Sequence, residues 1–363
     1  MADPLPEEQA RPGVDVVIAV HTPDRPIARA VRSVLDHNGE GTRLTVVCHN
    51  IDAAQIRSQV DPAHREQVRW LEHHDGKRRP AGPFNAGIEA ATGEYVAIMG
   101  SDDTLQPGAI SSWYWLAQHT GAEAVIARLE RDGRAVPTPP TRPWRRRDLD
   151  GVKDRLCYRS APLGLVATAT IARLGLRLDE AVATGDDVGF VTRLWFQATV
   201  AFDRRGPAYV IGEDASDRIT YAPRPVAEEL TFLTRLLRQH WFTRLDLVQR
   251  RAAVVKYLRI HLFGAVYHRP DPETWTDAER ADLAEVARAL LQAAPGCEAV
   301  LSLADRALLD AILADDGAAS VLISLAMARR RHGRPGTILT RDLAHLFARE
   351  APLRMMAASV LTR

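Results

Sequence analysis

Several groups of residues in this chain have the types and the spacing to do chemistry. Ser101-Asp102-Asp103 puts two adjacent carboxylates directly after Tyr95-Val96-Ala97-Ile98-Met99, a run that reads as a buried strand. A carboxylate pair at the carboxyl end of a strand is where α/β sheets place ligand chemistry. Two hard anionic oxygens there suit Mg²⁺ or Mn²⁺ carrying a diphosphate. A second acidic pair, Asp186-Asp187, follows Thr184-Gly185 and opens a helical pattern that runs through about Gln197. A third group is basic: the stretch Arg142 to Arg159 centres on Arg145-Arg146-Arg147, and Arg recognises phosphate bidentately. Each group has a plain structural alternative. Either acidic pair can cap the helix it precedes, and the arginines can be solvated loop charges.

Holding such groups in place takes an alternating chain. Val14 to Val20 is a nearly continuous β-branched run, as expected of a strand covered on both faces. Ile27, Ala30, Val31, Val34 and Leu35 then recur at helical spacing. Strands are expected at Leu44 to Val47, Val68 to Leu71, Tyr95 to Met99, Gly164 to Ala169 and Ala208 to Ile211. Helices are expected at Ala53 to Val60, at Asn85 to Ala91 with Gly93 as its stop, and from Gly108 to about Thr120. Asp132 to Arg147, rich in Pro and Arg, reads as a loop. After Pro225 the pattern turns helical, over Glu228 to Val266, Ala278 to Leu291, Leu301 to Leu313, Ala319 to Arg330 and Leu339 to Leu353. The fold class this predicts is α/β, a mostly parallel sheet flanked by helices, followed by an all-α C-terminal region. The expected domains are a disordered N-terminus at 1–13, a catalytic domain at 14–222 and a helical domain at 223–363.

The bulk numbers agree with a globular protein. The 363 residues leave room for two domains, and a net charge of +1 does not point to nucleic acid. The three cysteines are odd in number and lack CxxC spacing, which suggests neither a zinc site nor a disulfide framework. The acidic, proline-containing start lacks the features of a signal peptide. A cytoplasmic protein, working at the inner face of the cell membrane if its substrates lie there, is the expectation.

The order of Val16-Val17-Ile18-Ala19-Val20-His21, Asn85-Ala86-Gly87-Ile88, Gly100-Ser101-Asp102-Asp103-Thr104-Leu105-Gln106-Pro107-Gly108 and Gly185-Asp186-Asp187-Val188-Gly189-Phe190-Val191-Thr192-Arg193-Leu194 resembles the family 2 glycosyltransferases of GT-A fold. The resemblance covers roughly residues 14 to 222. It implies an inverting, metal-dependent transfer from a nucleotide-diphosphate sugar, expected to be a UDP-sugar. By the same resemblance, Asp187 is the general base, with Asp186 in place of the more usual Glu. Asp102 is the metal ligand for Mn²⁺ or Mg²⁺, and Asp103 assists through water or orients the acceptor. Gly100 stands where the family's first Asp would be. The turn His21, Thr22, Asp24 and Arg25 matches the base-binding turn. Asn50 and Asp52 are candidates for the nucleotide base, and Arg78, Asn85 and Ser101 for the donor, although Asn50 reads equally as a turn residue, Arg78 equally as a solvated loop charge, and Asn85 alternatively as an internal brace of the loop.

The acceptor implied is a cell-envelope or capsular glycan, a teichoic-acid-like polyol-phosphate polymer or a lipid-linked precursor, with Arg145, Arg146 and Arg147 meeting its charge. The basic helical stretch from Arg235 to Arg259 offers a peripheral membrane surface or a basic groove for the polymer, with packing on the catalytic domain as the ordinary alternative, and the helical tail is a candidate for self-association. Two rival functions stand beside this one. A degenerate GT-A protein would bind nucleotide-sugar or glycan as a scaffold. A sugar-phosphate nucleotidyltransferase would need a glycine-rich basic loop after the first strand, where this chain has His21-Thr22-Pro23-Asp24-Arg25.

Overall fold

The computed structural model describes residues 13–136, 139–213, 224–314 and 318–362. Residues 1–12 of the expected disordered N-terminus, and the expected boundary at 222–223, lie outside the described residues. The strands are β1 (Val14–Val20), β2 (Thr42–His49), β3 (Val68–His73), β4 (Tyr95–Gly100), β5 (Thr104–Leu105), β6 (Ala124–Ala127), β7 (Leu129–Arg131), β8 (Arg134–Val136), β9 (Gly164–Ala167), β10 (Val200–Asp203) and β11 (Tyr209–Ile211).

The main sheet has the order β10-β6-β9-β4-β1-β2-β3. Only β9 runs antiparallel to its neighbours; the other pairs are parallel. The continuous apolar reading of β1 is explained by its place: it lies between β2 and β4, and Val16, Val17 and Ile18 are all 0% exposed. Helices Ile27–Asn38, Ala81–Glu89 and Ala109–Thr120 supply the intervening crossovers, as the expected alternation requires. A smaller sheet, β5-β11-β7-β8, lies in the same unit.

Some expectations need correction. The stretch expected as a loop from Asp132 starts as a hairpin, because Asp132 (φ 49°) and Gly133 (φ 68°) form a two-residue turn between β7 and β8. Two central residues with positive φ are what such a turn demands. Gly93 is not the stop of its helix, which ends on Ala90 in right-handed geometry. Its role is different: Gly93 N and Thr92 N donate to Asp15 Oδ2 at 2.7 and 2.8 Å. Asp15 itself is 0% exposed and takes Arg43 in a two-pronged bond, at 2.6 and 2.8 Å. The helix expected at Leu339 to Leu353 is a short 3₁₀ turn at Leu343–His345, and the regular helix begins with Pro352 and runs to Leu361.

The chain folds into two compact units. The first contains both sheets. The second collects Pro137–Ala161, Leu178–Ala198 and the helices that follow residue 224. Its core joins Val188 of helix Val188–Gln197 to Leu230, Leu233 and Leu236 of helix Val226–Leu237 and to Leu283 and Leu290 of helix Asp277–Ala293. The long helical pattern after Glu228 is interrupted. Asp246 and Gln249 form a capping box that restarts it as Leu247–Lys256. A π-helical turn, Tyr257–Leu262, follows before Phe263–Tyr267. No helix among the described residues is long and apolar enough to cross a membrane.

Candidate active site

In the first unit, β4 ends at Gly100 and the turn Ser101-Asp102-Asp103 leads into β5. The two carboxylates have different surroundings. Asp103 Oδ2 accepts from the Tyr209 hydroxyl and Oδ1 accepts from Gly212 N at 2.8 Å. The same Tyr209 oxygen accepts from Gly100 N at 3.1 Å, so β11 clasps both ends of the turn. Burial pushes the Asp103 carboxyl up, and these hydrogen bonds oppose it. Asp102 faces a cation: Arg25 Nη1 lies 3.1 Å from its Oδ2, and Arg29 Nη2 donates to its backbone oxygen at 2.6 Å.

Gly100 has a physical reason. A Cβ there would meet Asp103 Oδ2 at 2.5 Å and Asp102 Oδ1 at 3.1 Å. The glycine gives both carboxylates room to fold back over the strand end. Among the described residues, no group of three or more His, Cys, Asp or Glu is arranged to hold a metal ion. Both Asp103 oxygens are engaged by Tyr209 and Gly212, and Asp102 Oδ2 is paired with Arg25, so a cation at the turn would meet Asp102 in exchange for that arginine. That donor set fits a divalent ion that takes most of its ligands from a bound diphosphate and water.

The turn after β1 brings Arg25 to Asp102. His21 and Asp24 are exposed on it, and the Thr22 hydroxyl donates to Asp24 Oδ2 at 3.1 Å. At the ends of β2 and β3 the side chains are committed to the protein. Asn50, at φ 56°, accepts from Asp75 N and Gly76 N at 3.1 and 3.0 Å and donates to Lys77 O at 2.8 Å. Asp52 caps helix Ala53–Arg57 through Ala54 N at 2.7 Å. Sequence reasoning did not single out His49 and Asp75, which pair at 2.8 Å beside Asn50. Against its burial, hydrogen bonds from His49, Lys77 N and Asn50 hold Asp75 well below the usual carboxylate range. Arg78 is exposed in the same loop, whereas Asn85 and Ser101 are 2% and 4% exposed.

In the second unit, Asp187 stands at the start of helix Val188–Gln197, yet its side chain makes no capping hydrogen bond. It is half-buried, as is Asp186. Burial and then the neighbouring Asp186 charge raise the Asp187 carboxyl, while Lys256 lowers it. Burial raises Asp186 as well. A carboxylate that caps nothing and whose proton affinity is raised is suited, once ionised, to accept a proton. Arg145, Arg146 and Arg147 lie exposed on a loop of the same unit. Its base is tied by Asp154, which is 0% exposed and receives Arg142 N, Nε and Nη2 at 2.9, 2.8 and 2.6 Å. Trp144, which sequence reasoning passed over, stands beside the arginines at 84% exposure.

The fold is of the GT-A type with a helical C-terminal region. It superimposes on a crystal structure of S. aureus TarS 1–349 in complex with UDP-GlcNAc with a TM-score of 0.70 at 15% identity, covering 88% of this chain and 91% of that one. Residues 15–164 match the family described as Glycosyl transferase family 2. Succinoglycan biosynthesis protein ExoO of Rhizobium meliloti is 32% identical over 130 residues, 34% of this chain and 36% of that protein. Poly(ribitol-phosphate) beta-glucosyltransferase of Bacillus spizizenii is 21% identical over 194 residues, 51% of this chain and 30% of that protein. The chain therefore matches about a third of the length of these curated relatives.

Proposed function

We propose that the chain is an inverting, metal-dependent glycosyltransferase that moves a sugar from a UDP-sugar to a hydroxyl of a cell-envelope, capsular or teichoic-acid-like glycan on the cytoplasmic side of the membrane. The observation that carries the reading is Asp187: a half-buried carboxylate at a helix start that caps nothing, in a chain whose residues 15–164 match Glycosyl transferase family 2. The names of the similar proteins support the substrate classes. One is named for a poly(ribitol-phosphate) polymer, one for succinoglycan biosynthesis, and the TarS fragment was solved with UDP-GlcNAc.

In this reading Asp187 takes the proton of the acceptor hydroxyl as its oxygen attacks the anomeric carbon, and the nucleotide diphosphate leaves without a covalent sugar-enzyme intermediate. Asp102 would hold Mn²⁺ or Mg²⁺, which when bound acts as a Lewis acid on the leaving diphosphate. Arg25 beside it adds a fixed positive charge for the same phosphates. His21, Thr22 and Asp24 of the neighbouring turn, with Arg78, Asn85 and Ser101, serve the nucleotide side. Asn50 and Asp52 act there by shaping the loop. Asp186 acts on the base through its charge, and Asp103 fixes the metal turn.

The test is metal-dependent UDP release from a panel of UDP-sugars with acceptor glycan present. Asp102→Ala should lower it about a hundredfold. If no donor turns over with Mn²⁺ or Mg²⁺, the scaffold reading is preferred. A second test addresses the acceptor. Replacing Arg145, Arg146 and Arg147 together by Ala should raise the acceptor KM about tenfold, because charge-assisted phosphate contacts are lost. Hydrolysis of donor alone should be unchanged. An unaltered acceptor KM would remove these arginines from the acceptor site.

A further inference from the structure

The second unit buries a group of titratable side chains that the reaction above leaves unused. Lys256 ends helix Leu247–Lys256 and is 1% exposed. An ammonium so placed needs compensation for the water it has lost. Its Nζ lies 2.7 Å from Nε2 of His261 and 5.4 Å from the centre of the Tyr257 ring. Burial lowers the Lys256 ammonium to about 8, and the negative charge of Asp187 opposes that lowering.

The backbone makes the Lys256–His261 pair. In an α-helix, residues five apart point about 140° away from each other, since each residue advances about 100°. The π-helical turn Tyr257–Leu262 widens the winding just after Lys256 and brings the two side chains together. Single π-turns of this kind are frequent at functional sites. The His261 ring stands edge-on to Phe232 with centroids 4.9 Å apart. Phe232 in turn lies so close to Gly185 that a Cβ there would meet its ring at 2.6 Å. A packed line thus runs from Lys256 through His261 and Phe232 to the corner Gly185-Asp186-Asp187.

We propose that Lys256, seated by the π-helical turn and His261, is a positioning residue that keeps Asp187 ionised and ready to accept a proton. The inference rests on Asp187 being the base. The surrounding groups give it a definite sign. Asp186 stands next to Asp187, and Asp179 acts on Asp186 from the preceding loop while pairing with Arg235 at 2.8 Å. These acidic charges and burial favour a protonated Asp187. The opposing charge comes from Lys256. Burial keeps His261 well below its usual range, so its ring is neutral and Nε2 accepts from the ammonium. Cys157, raised to about 12 by burial, stays a neutral thiol, and burial likewise raises the Tyr257 hydroxyl, which shares a 2.7 Å hydrogen bond with Thr192.

The experiment compares the wild-type chain with Lys256→Met, Lys256→Gln and Lys256→Arg in two measurements. One is the pH profile of kcat/KM for glycosyl transfer. The other is the carboxyl carbon NMR titration of Asp187, assigned by its loss in Asp187→Asn. The neutral variants should move both midpoints upward by about one pH unit, costing about tenfold in rate on the acid side and restoring the rate at alkaline pH. Lys256→Arg should keep both near wild type. Lys256→Gln retains a hydrogen-bond donor for His261 and serves if Lys256→Met does not fold. An unmoved Asp187 titration in a folded neutral variant overturns the proposal. A titration that moves while the rate profile stays put upholds the link between the two residues and overturns Asp187 as the base.

Discussion

Asp187→Asn should remove glycosyl transfer almost completely, by about 10²- to 10⁴-fold in kcat, the range that a positioned general base contributes. The amide keeps the shape of the carboxylate and cannot take a proton. Because the Asp187 side chain makes no capping bond, helix Val188–Gln197 should not depend on it, and thermal unfolding should stay close to wild type. Affinity for UDP, measured by calorimetry, should also be retained. Transfer that persists within about a few fold of wild type would assign the proton to another group. The wild-type chain carries a related signature. Burial and the neighbouring Asp186 raise the Asp187 carboxyl to about 7, so the proposed base is ionised above that pH and protonated below it. On the acid side, kcat/KM should therefore fall about tenfold per pH unit, starting well above the range of an ordinary carboxylate.

The largest stability effect is expected at Asp15. Its side chain is 0% exposed and holds Arg43 by two bonds together with Thr92 N and Gly93 N. Asp15→Ala takes the carboxylate from Arg43, which is half-buried and keeps Thr92 Oγ1, and orphans two backbone donors. Each buried donor left unsatisfied costs about 1–3 kcal/mol and the half-buried arginine adds less, so the loss should be about 3 kcal/mol. Urea unfolding of the variant would read the loss directly. A cost under about 1 kcal/mol would mean that the pair behaves as a solvated surface bridge. The effect belongs to the fold, since Asp15 ties β1 to the turn that launches β4 and does not belong to the proposed site.

Much of the first unit was legible because its signals are local. β1 announces itself by an unbroken β-branched run, and the helix after it by spacing. The misses have physical causes. Ala-Val-Ile-Ala in β6 and Val-Ala-Phe-Asp in β10 are four-residue strands, too short to show a period. The β7–β8 hairpin was signalled by Asp132-Gly133 but was masked by the Pro- and Arg-rich residues that follow. Among the candidate residues Arg25, Asp102 and Asp187 could be picked out, whereas the residues that hold Asp103 could not. Tyr209 lies 106 residues from Asp103, and no sequence period connects them. The pairing of Lys256 with His261 escaped for another reason: five-residue spacing separates side chains in an ordinary helix, and the π-turn reverses that rule.

The Tyr209 clasp also sets an order in time. Asp103 leaves the ribosome long before the residues that hold it, Tyr209 and Gly212, which are 106 and 109 positions further on. At ordinary elongation rates the interval is on the order of ten seconds. During it the nascent chain can pair β1, β2, β3 and β4, but the acidic turn at the end of β4 has neither of these donors. The strand that completes the turn is thus also the one that closes the small sheet, through its pairing with β5 and β7. Completion of the acidic turn is then a late event in synthesis, coupled to the arrival of β11 rather than to the early assembly of the parallel strands.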